Sequence, residues 1–150
     1  MNFDEVRDLL VTQWTYTGGP NEDKAAEWYT DETVLEFPQS GERFRGRDNI
    51  TAWRQRYPTR LEFEPRELRG GGDLWIAETG LRYDGGEPVS VIKILQFRGD
   101  KVVRETLYFA DPFPAPDWRA PFAEDGPAER RTDLPARIAA GNWAGAHAGP

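Results

Sequence analysis

The chain has 150 residues and a formal net charge of −7, enough length for one domain with a real core. The negative charge excludes non-specific nucleic-acid binding, which needs clustered Lys and Arg. The chain has no cysteine and one histidine, His147, so disulfides, thiolate chemistry, a histidine-based triad and a multi-histidine metal site have no basis here.

The first predicted element is an amphipathic helix. Asn2 followed by Glu5 has the pattern of a capping box. Apolar residues then recur at helical spacing from Phe3 to Trp14, and the sequence TGGP at 17–20 ends the helix. The absence of a basic segment or a long apolar run in this region predicts a cytoplasmic chain without a membrane span.

Two more helices and a strand are predicted before residue 60. Asn21 can cap a short helix that reaches Tyr29, and residues 33–37 have the composition of a strand. A loop is expected over 38–46. A third helix should begin at Asp48 and end at Pro58, with an inner side formed by Ile50, Trp53 and Tyr57.

From Leu61 onward the hydrophobic period changes to two, which is typical of a sheet. Glycine-rich breaks divide this region into four strands, at about 61–69, 74–83, 88–98 and 101–110. Three helices followed by an antiparallel meander predict an α+β fold, in which a curved sheet wraps around the helices.

A change of composition after Phe109 predicts a domain of residues 1–124 and a tail of residues 125–150. The tail is rich in Pro, Ala and Gly and is expected to be flexible. Three aromatic side chains just before it should pack on the domain or on a partner subunit; they are Phe113, Trp118 and Phe122.

Two motifs resemble those of a known superfamily. A Tyr-x-Asp-Glu turn leads to a strand that ends in proline, and a Gly-Arg-Asp-x-Ile sequence begins a helix. With the last hairpin they resemble the nuclear-transport-factor-2-like superfamily, and within it the SnoaL-like polyketide cyclase group, over residues 3–122. The motif residues are Tyr29, Asp31, Glu32 and Pro38, then Gly46, Arg47, Asp48 and Ile50.

This resemblance implies a cone-shaped α+β barrel, with three N-terminal helices packed on a curved, mainly antiparallel sheet. The helices and the concave face of the sheet would enclose one mostly apolar pocket. The superfamily includes isomerases, dehydratases, cyclases, epoxide hydrolases and plain binding modules, so the fold alone does not choose a function.

Strand alternation selects two charged residues as the candidate catalytic pair. Lys93 and Glu105 each stand alone among apolar residues on the predicted inner faces of the last two strands. A three-residue loop at 98–100 would place Lys93 opposite Glu105, whereas a two-residue loop would place it opposite Thr106. We expect the three-residue register, because it matches the apolar faces of both strands.

These two charges support either of two interpretations. A buried carboxylate could act as a general acid or base, and a lysine beside it could hold an enolate or alkoxide. By resemblance to ketosteroid isomerase, Lys93 occupies about the place of that enzyme's oxyanion-hole acid. Alternatively, the two residues form a structural ion pair.

By the same resemblance, Phe37 stands where ketosteroid isomerase carries its catalytic base, so double-bond migration by such a base is not expected. The neighbouring Glu36 has opposite strand parity and should face outward. The phenyl ring of Phe37 should instead line the pocket, or alternatively belong to the core packing. The other predicted pocket-lining residues are Trp14, Tyr16, Trp28, Trp53, Trp75, Thr79, Val91, Leu107 and Phe109.

Two functions follow as expectations. The first is a cofactor-independent, metal-free enzyme of the cyclase, isomerase, dehydratase or hydrolase type acting on a small apolar or aromatic molecule. The second is a non-catalytic ligand-binding or dimerisation module. In either case a homodimer is expected, since the convex face of the sheet carries exposed apolar residues; they are Ile76, Ile92, Ile94 and Tyr108.

Overall fold

The computed structural model describes residues 1–57 and 59–124 and the backbone of Ile138–Ala139. Three α-helices precede most of the sheet, as the sequence predicts: α1 (Phe3–Tyr16), α2 (Glu22–Ala25) and α3 (Arg47–Gln55). The predicted capping box is confirmed, because Asn2 Oδ1 accepts from the Glu5 amide at 2.9 Å and Glu5 Oε2 accepts from the Asn2 amide at 3.0 Å.

The strands form one curved sheet in the order β2-β1-β6-β5-β4-β3-β7. The β1–β6 pair is parallel and the other pairs are antiparallel. The predicted α+β cone with a mainly antiparallel sheet is therefore confirmed. The strands are β1 (Tyr29–Phe37), β2 (Glu42–Arg45), β3 (Leu61–Gly71), β4 (Leu74–Tyr83), β5 (Val89–Arg98), β6 (Lys101–Ala110) and β7 (Ile138–Ala139).

The region between α1 and α3 differs from its prediction. Helix α2 ends at Ala25, and Tyr29 is already a strand residue, paired with Val102 of β6. The predicted loop contains strand β2, which pairs with the second half of β1. Helix α3 is capped by Gly46 and not by Asp48; Gly46 has φ 90°, and a Cβ there would lie 3.2 Å from the Asp31 carbonyl oxygen.

The hairpin between β5 and β6 corrects the predicted register. Arg98 pairs with Lys101, so the loop has two residues, and a bulge shifts the pairing between Gln96 and Phe97. Lys93 therefore lies opposite Leu107 and not opposite Glu105. The bulge restores the parity that a two-residue loop alone would have broken, and Lys93 and Glu105 remain diagonal neighbours on one face.

The predicted inner faces of β4 and β5 point into the core, and β6 deviates at one position. Trp75, Ala77, Thr79 and Leu81 of β4 are buried, as are Val91, Lys93, Leu95 and Phe97 of β5. On β6 the bulge turns Val102 inward and leaves Val103 half-buried, although alternation with Glu105 would predict Val103 on the inner face; Glu105 stays fully buried. The inner face of the sheet and the apolar side of α1 form one core.

The C-terminal region follows β6 along an exposed path. A short 3-10 helix spans Asp117–Phe122, and Phe113, Trp118 and Phe122 are all exposed in the single chain. The predicted flexible tail of residues 125–150 lies outside the described residues, apart from the backbone of Ile138–Ala139, which pairs with β3. The domain boundary at 124 stays a prediction.

Candidate functional site

A cavity of about 250 Å³ lies between the helices and the concave face of the sheet. Pockets for drug-sized ligands usually measure about 300–1,000 Å³, so this cavity suits a small molecule. Its walls are mainly apolar and aromatic. Among the described residues it is lined by Gln13, Trp14, Thr17, Gly18, Phe37, Trp53, Arg54, Tyr57, Leu61, Phe63, Thr79, Leu81, Tyr83, Val91, Lys93, Leu107 and Phe109.

Phe37 lies at the centre of a cluster of four aromatic rings, of which Phe37, Trp53 and Phe109 line the cavity. Its ring makes edge contacts with Phe44, Trp53 and Phe109 at centroid distances of 5.4, 5.8 and 5.5 Å. Such edge-to-face pairs add stability beyond the burial of area. The position expected to carry a base in ketosteroid isomerase is therefore part of an apolar ring cluster that can pack a flat ligand.

The site also contains a buried hydrogen-bond network around Glu105, which is 0% exposed. Its Oε1 accepts a hydrogen bond from Tyr29 Oη at 2.8 Å. Its Oε2 accepts from Arg54 Nη2 at 3.2 Å and lies 3.8 Å from Lys93 Nζ. One carboxylate thus faces two cations, and its charge is stabilised by both.

Tyr29 joins this network to the first helix. Its hydroxyl donates to Glu105 and accepts from Gln13 Nε2 at 2.9 Å and from Arg54 Nη1 at 3.0 Å. One donor and two acceptor positions are all that a phenol has, so this hydroxyl is fully used. Burial raises the pKa of Tyr29, which keeps the phenol protonated at neutral pH.

Lys93 is the member of the predicted pair that reaches the cavity wall. Its amine donates to Gln13 Oε1 and lies 5.7 Å from the centre of the Trp28 ring. Burial lowers the pKa of Lys93 to about 8; Glu105 opposes this change and Arg54 adds to it. The amine is therefore a cation at neutral pH, and it is a stronger acid than an ordinary lysine.

A second buried carboxyl, Glu22, holds the turn that follows α1. Its Oε1 accepts from Thr17 Oγ1 at 2.8 Å and from the Gly18 amide at 2.9 Å. Burial raises the pKa of Glu22, although Arg54 and its two hydrogen bonds oppose the shift. Since Thr17 and Gly18 line the cavity and Glu22 does not, this carboxyl shapes the wall from behind.

The structure places the predicted site residues in two groups. Eight line the cavity: Lys93, Trp14, Phe37, Trp53, Thr79, Val91, Leu107 and Phe109. The other four do not belong to the lining. Glu105 and Trp28 lie behind Lys93, Trp75 donates its indole N–H to the Gly72 carbonyl, and the ring of Tyr16 lies under Lys24 instead.

Three polar members of the buried network around Glu105 were not predicted as site residues: Gln13, Tyr29 and Arg54. Periodicity contains a signal for two of them. Gln13 follows Val6 and Leu10 by seven and three residues, and Arg54 follows Ile50 by four, so both occupy the inner stripe of their helix. Tyr29 was placed at the end of a helix, and only its pairing with Val102 reveals its direction.

The site can stabilise negative charge on an oxygen atom inside an apolar cavity, which is the central requirement of enolate and alkoxide chemistry. Within the described residues no cluster of three or more metal-ligating side chains occurs. No helix in the same part of the chain is long and apolar enough to cross a membrane.

Comparisons with known proteins agree with this geometry. The profile of the SnoaL-like domain matches residues 17–105. A nuclear-transport-factor-2-like protein of unknown function from Burkholderia xenovorans is 36% identical, with a TM-score of 0.71 over 83% of this chain and 97% of that one. No protein of curated function matches the sequence.

Two more distant structures share the fold. A candidate ketosteroid isomerase from Kribbella flavida is 23% identical, with a TM-score of 0.72 over 85% of this chain and 95% of that one. A candidate polyketide cyclase from Sinorhizobium meliloti is 18% identical, with a TM-score of 0.58 over 72% of this chain and 100% of that one.

Proposed function

The chain belongs to the SnoaL-like family, which has the nuclear-transport-factor-2-like fold, and from this premise we propose that it is an enzyme that works without a cofactor. Its substrate is a small apolar or aromatic molecule, and its reaction is of the isomerase, cyclase, dehydratase or hydrolase type. The observation that carries the proposal is the Lys93 amine, which lies on the wall of an apolar cavity beside a buried carboxylate.

Lys93 is the catalytic group in this proposal. Its ammonium form donates a hydrogen bond or a proton to an oxygen that becomes negative in the transition state. Its pKa of about 8 favours this role, because a group whose pKa lies near the working pH transfers protons more efficiently. Glu105 is fully buried and has no place in the lining, so we assign it a positioning role that fixes Lys93 and Arg54.

The proposal can be tested with 2-tetralone, a bicyclic ketone with acidic hydrogens next to its carbonyl group. Water removes an α proton, the carbonyl oxygen becomes an enolate oxygen held by Lys93, and return of a deuteron from D₂O completes the exchange. Nuclear magnetic resonance follows the loss of the α-proton signal. We expect the wild-type protein to accelerate exchange over buffer, and Lys93→Met to lose about 10-fold or more of that excess.

Lys24→Met is the matched control, because Lys24 is exposed and lies outside the cavity lining. It should leave the rate unchanged. The excess over the buffer rate should also fall as the pH rises through about 8, where Lys93 loses its proton. An exchange rate with the protein that is no higher than the rate in buffer would contradict an enzymatic role. Binding of the ketone without exchange would favour a non-catalytic binding module.

We also propose a homodimer in which the C-terminal segment 111–124 packs on a second copy. Phe113, Trp118 and Phe122 are 77%, 73% and 85% exposed in the single chain, which is unusual for three aromatic rings so close in sequence. The convex face of the sheet adds Tyr108, which is 41% exposed. A second copy of the chain could cover these exposed aromatic side chains.

Light scattering coupled to size-exclusion chromatography tests this assembly. The wild-type chain should elute as a dimer at micromolar concentration, and a Trp118→Ala, Phe122→Ala double variant should shift toward the monomer with unchanged circular dichroism. A wild-type monomer would contradict the proposal.

A further inference from the structure

The charged groups that line the cavity are all of one sign. Among the described lining residues only Arg54 and Lys93 are charged, and no Asp or Glu belongs to the lining. The remaining polar lining groups are neutral amides, hydroxyls and phenols. A ligand in this cavity therefore meets positive charge at its polar end and apolar rings elsewhere.

The buried carboxyls do not reverse this sign at the cavity surface. Glu105 lies behind the two cations and accepts hydrogen bonds from Tyr29 and Arg54. Glu22 directs its Oε1 to Thr17 and Gly18, on the far side of the lining. One carboxylate in direct contact with two cations leaves a positive charge without a direct counter-charge.

Lys93 also keeps hydrogen-bonding capacity for a ligand. An ammonium group has three N–H donors. Within the described residues, Lys93 donates to Gln13, and its separation of 3.8 Å from Glu105 exceeds a hydrogen bond. Donors therefore remain on an amine that lines the cavity, and a buried ammonium without acceptors is costly.

We propose that this pocket selects an apolar or aromatic molecule that carries one anionic oxygen group, a carboxylate or an enolate, seated against Lys93 and Arg54. This inference rests on the proposed function of the same pocket and names its substrate class. The anion supplies the missing counter-charge and the missing acceptors, and the aromatic wall around Phe37 receives the rings.

A panel of three bicyclic probes of the same shape tests the proposal: 2-naphthoate, 2-naphthamide and 2-naphthylmethylammonium. Quenching of tryptophan fluorescence reports binding, since Trp14 and Trp53 line the cavity. At pH 7 we expect 2-naphthoate to bind about 10-fold more tightly than the neutral amide, and the cation to bind most weakly.

The pH dependence links the preference to Lys93. The groups that face its amine are Glu105 on β6, Arg54 on α3, Glu22 on α2, Tyr29 on β1 and the neutral Gln13 on α1. Burial raises the pKa of Tyr29 and Arg54 stays charged, whereas the pKa of Lys93 is lowered to about 8, so Lys93 changes its charge between pH 7 and 9.5. The preference for naphthoate over naphthamide should fall about threefold or more over this range.

Lys93→Met should remove most of the preference at pH 7, while Lys24→Met should retain it. Comparing naphthoate and naphthamide binding by the wild-type protein at pH 7 and 9.5 requires no variant. The inference can therefore be tested even if Lys93→Met does not fold. Equal or weaker binding of naphthoate relative to naphthamide, including no binding of any probe, would overturn the inference. Naphthoate preference without ketone exchange would instead overturn the enzymatic role and leave this inference standing.

Discussion

The two faces of the sheet use the same ion-pair chemistry in opposite surroundings. On the convex face, Glu36 is bridged by Arg104 at 3.4 Å and by Arg43 at 3.5 Å, and the two arginines are 46% and 68% exposed. On the concave face, Glu105 lies between Arg54 and Lys93, and all three side chains are nearly or fully buried.

The difference in burial between the two networks indicates which of them can have a function. An exposed pair contributes about 0–1 kcal/mol because water and salt screen it. A buried pair is costly to desolvate and is often no more stable than an apolar replacement of similar volume. The outer network therefore keeps the face polar, whereas the inner one is better explained by the chemistry of the cavity it supports.

Matched substitutions on the two faces should differ most in their effect on the free energy of unfolding. Glu105→Gln leaves Arg54 and Lys93 buried without a counter-charge, so we expect the free energy of unfolding to fall by about 3–5 kcal/mol. Glu36→Gln should lower it by less than about 1 kcal/mol. Urea denaturation of both variants makes the comparison, and equal losses would contradict the contrast between the faces.

The next largest effect is a pH dependence of stability that arises from Lys93 on the concave face. Since the pKa of Lys93 is lowered to about 8, the unfolded chain binds more protons at this site between pH 8 and the ordinary lysine pKa of 10.5. Stability should rise with pH in this window, and Lys93 should contribute about 2 kcal/mol between pH 7 and 10.

Lys93→Met provides the reference for this measurement. The difference in unfolding free energy between wild type and Lys93→Met, measured by urea denaturation at several pH values, should favour wild type increasingly as the pH rises. A difference that stays constant would mean that Lys93 titrates alike in the folded and unfolded chains.

The smallest expected effect on stability comes from an ion pair on the convex face, and it depends on salt concentration. Arg82 contacts Glu64 at 2.9 Å, with side chains that are 26% and 16% exposed. Arg82→Gln should lower the free energy of unfolding only slightly at low salt, and by less still in about 0.5 M NaCl, because salt screens exposed charges. The penalty of Glu105→Gln should change little with salt, and a similar response of both variants would remove the distinction.

The sequence predicted the fold well because its signals are local and redundant. The capping box at Asn2 and the alternation of β4 and β5 each specify an element independently of the other. Elements that need long-range contacts were less well predicted. Strand β2 is short and mostly exposed, and Tyr29 becomes a strand residue only through its pairing with β6.

For Lys93 and Glu105, the predicted loop length was wrong, but a bulge compensated for the error. Alternation correctly put Lys93 and Glu105 on the inner face, but the loop has two residues and a bulge follows it. A bulge has no strong sequence signature at this hairpin, so the register could not be derived. The two side chains still meet, at 3.8 Å, because the bulge restores their common parity.

The rest of the network depends on packing that no strand pattern reveals. Arg54 was read as part of a helix whose inner side ended in Trp53 and Tyr57, yet it reaches across to Glu105 from α3. Gln13 reaches Lys93 from α1, 80 residues earlier in the chain. Such contacts are set by how the helices cross the sheet, which sequence periodicity does not specify.

The most direct test of the central claim is the pKa of Lys93 itself. The chain contains three lysines, so the ¹³Cε resonances of Lys24, Lys93 and Lys101 can be assigned by single substitutions and followed from pH 6 to 11. The structure predicts a pKa of about 8 for Lys93 as the midpoint of its resonance. A Lys93 midpoint near 10.5 would contradict a desolvated amine at the cavity wall, and with it the proposed role of this residue.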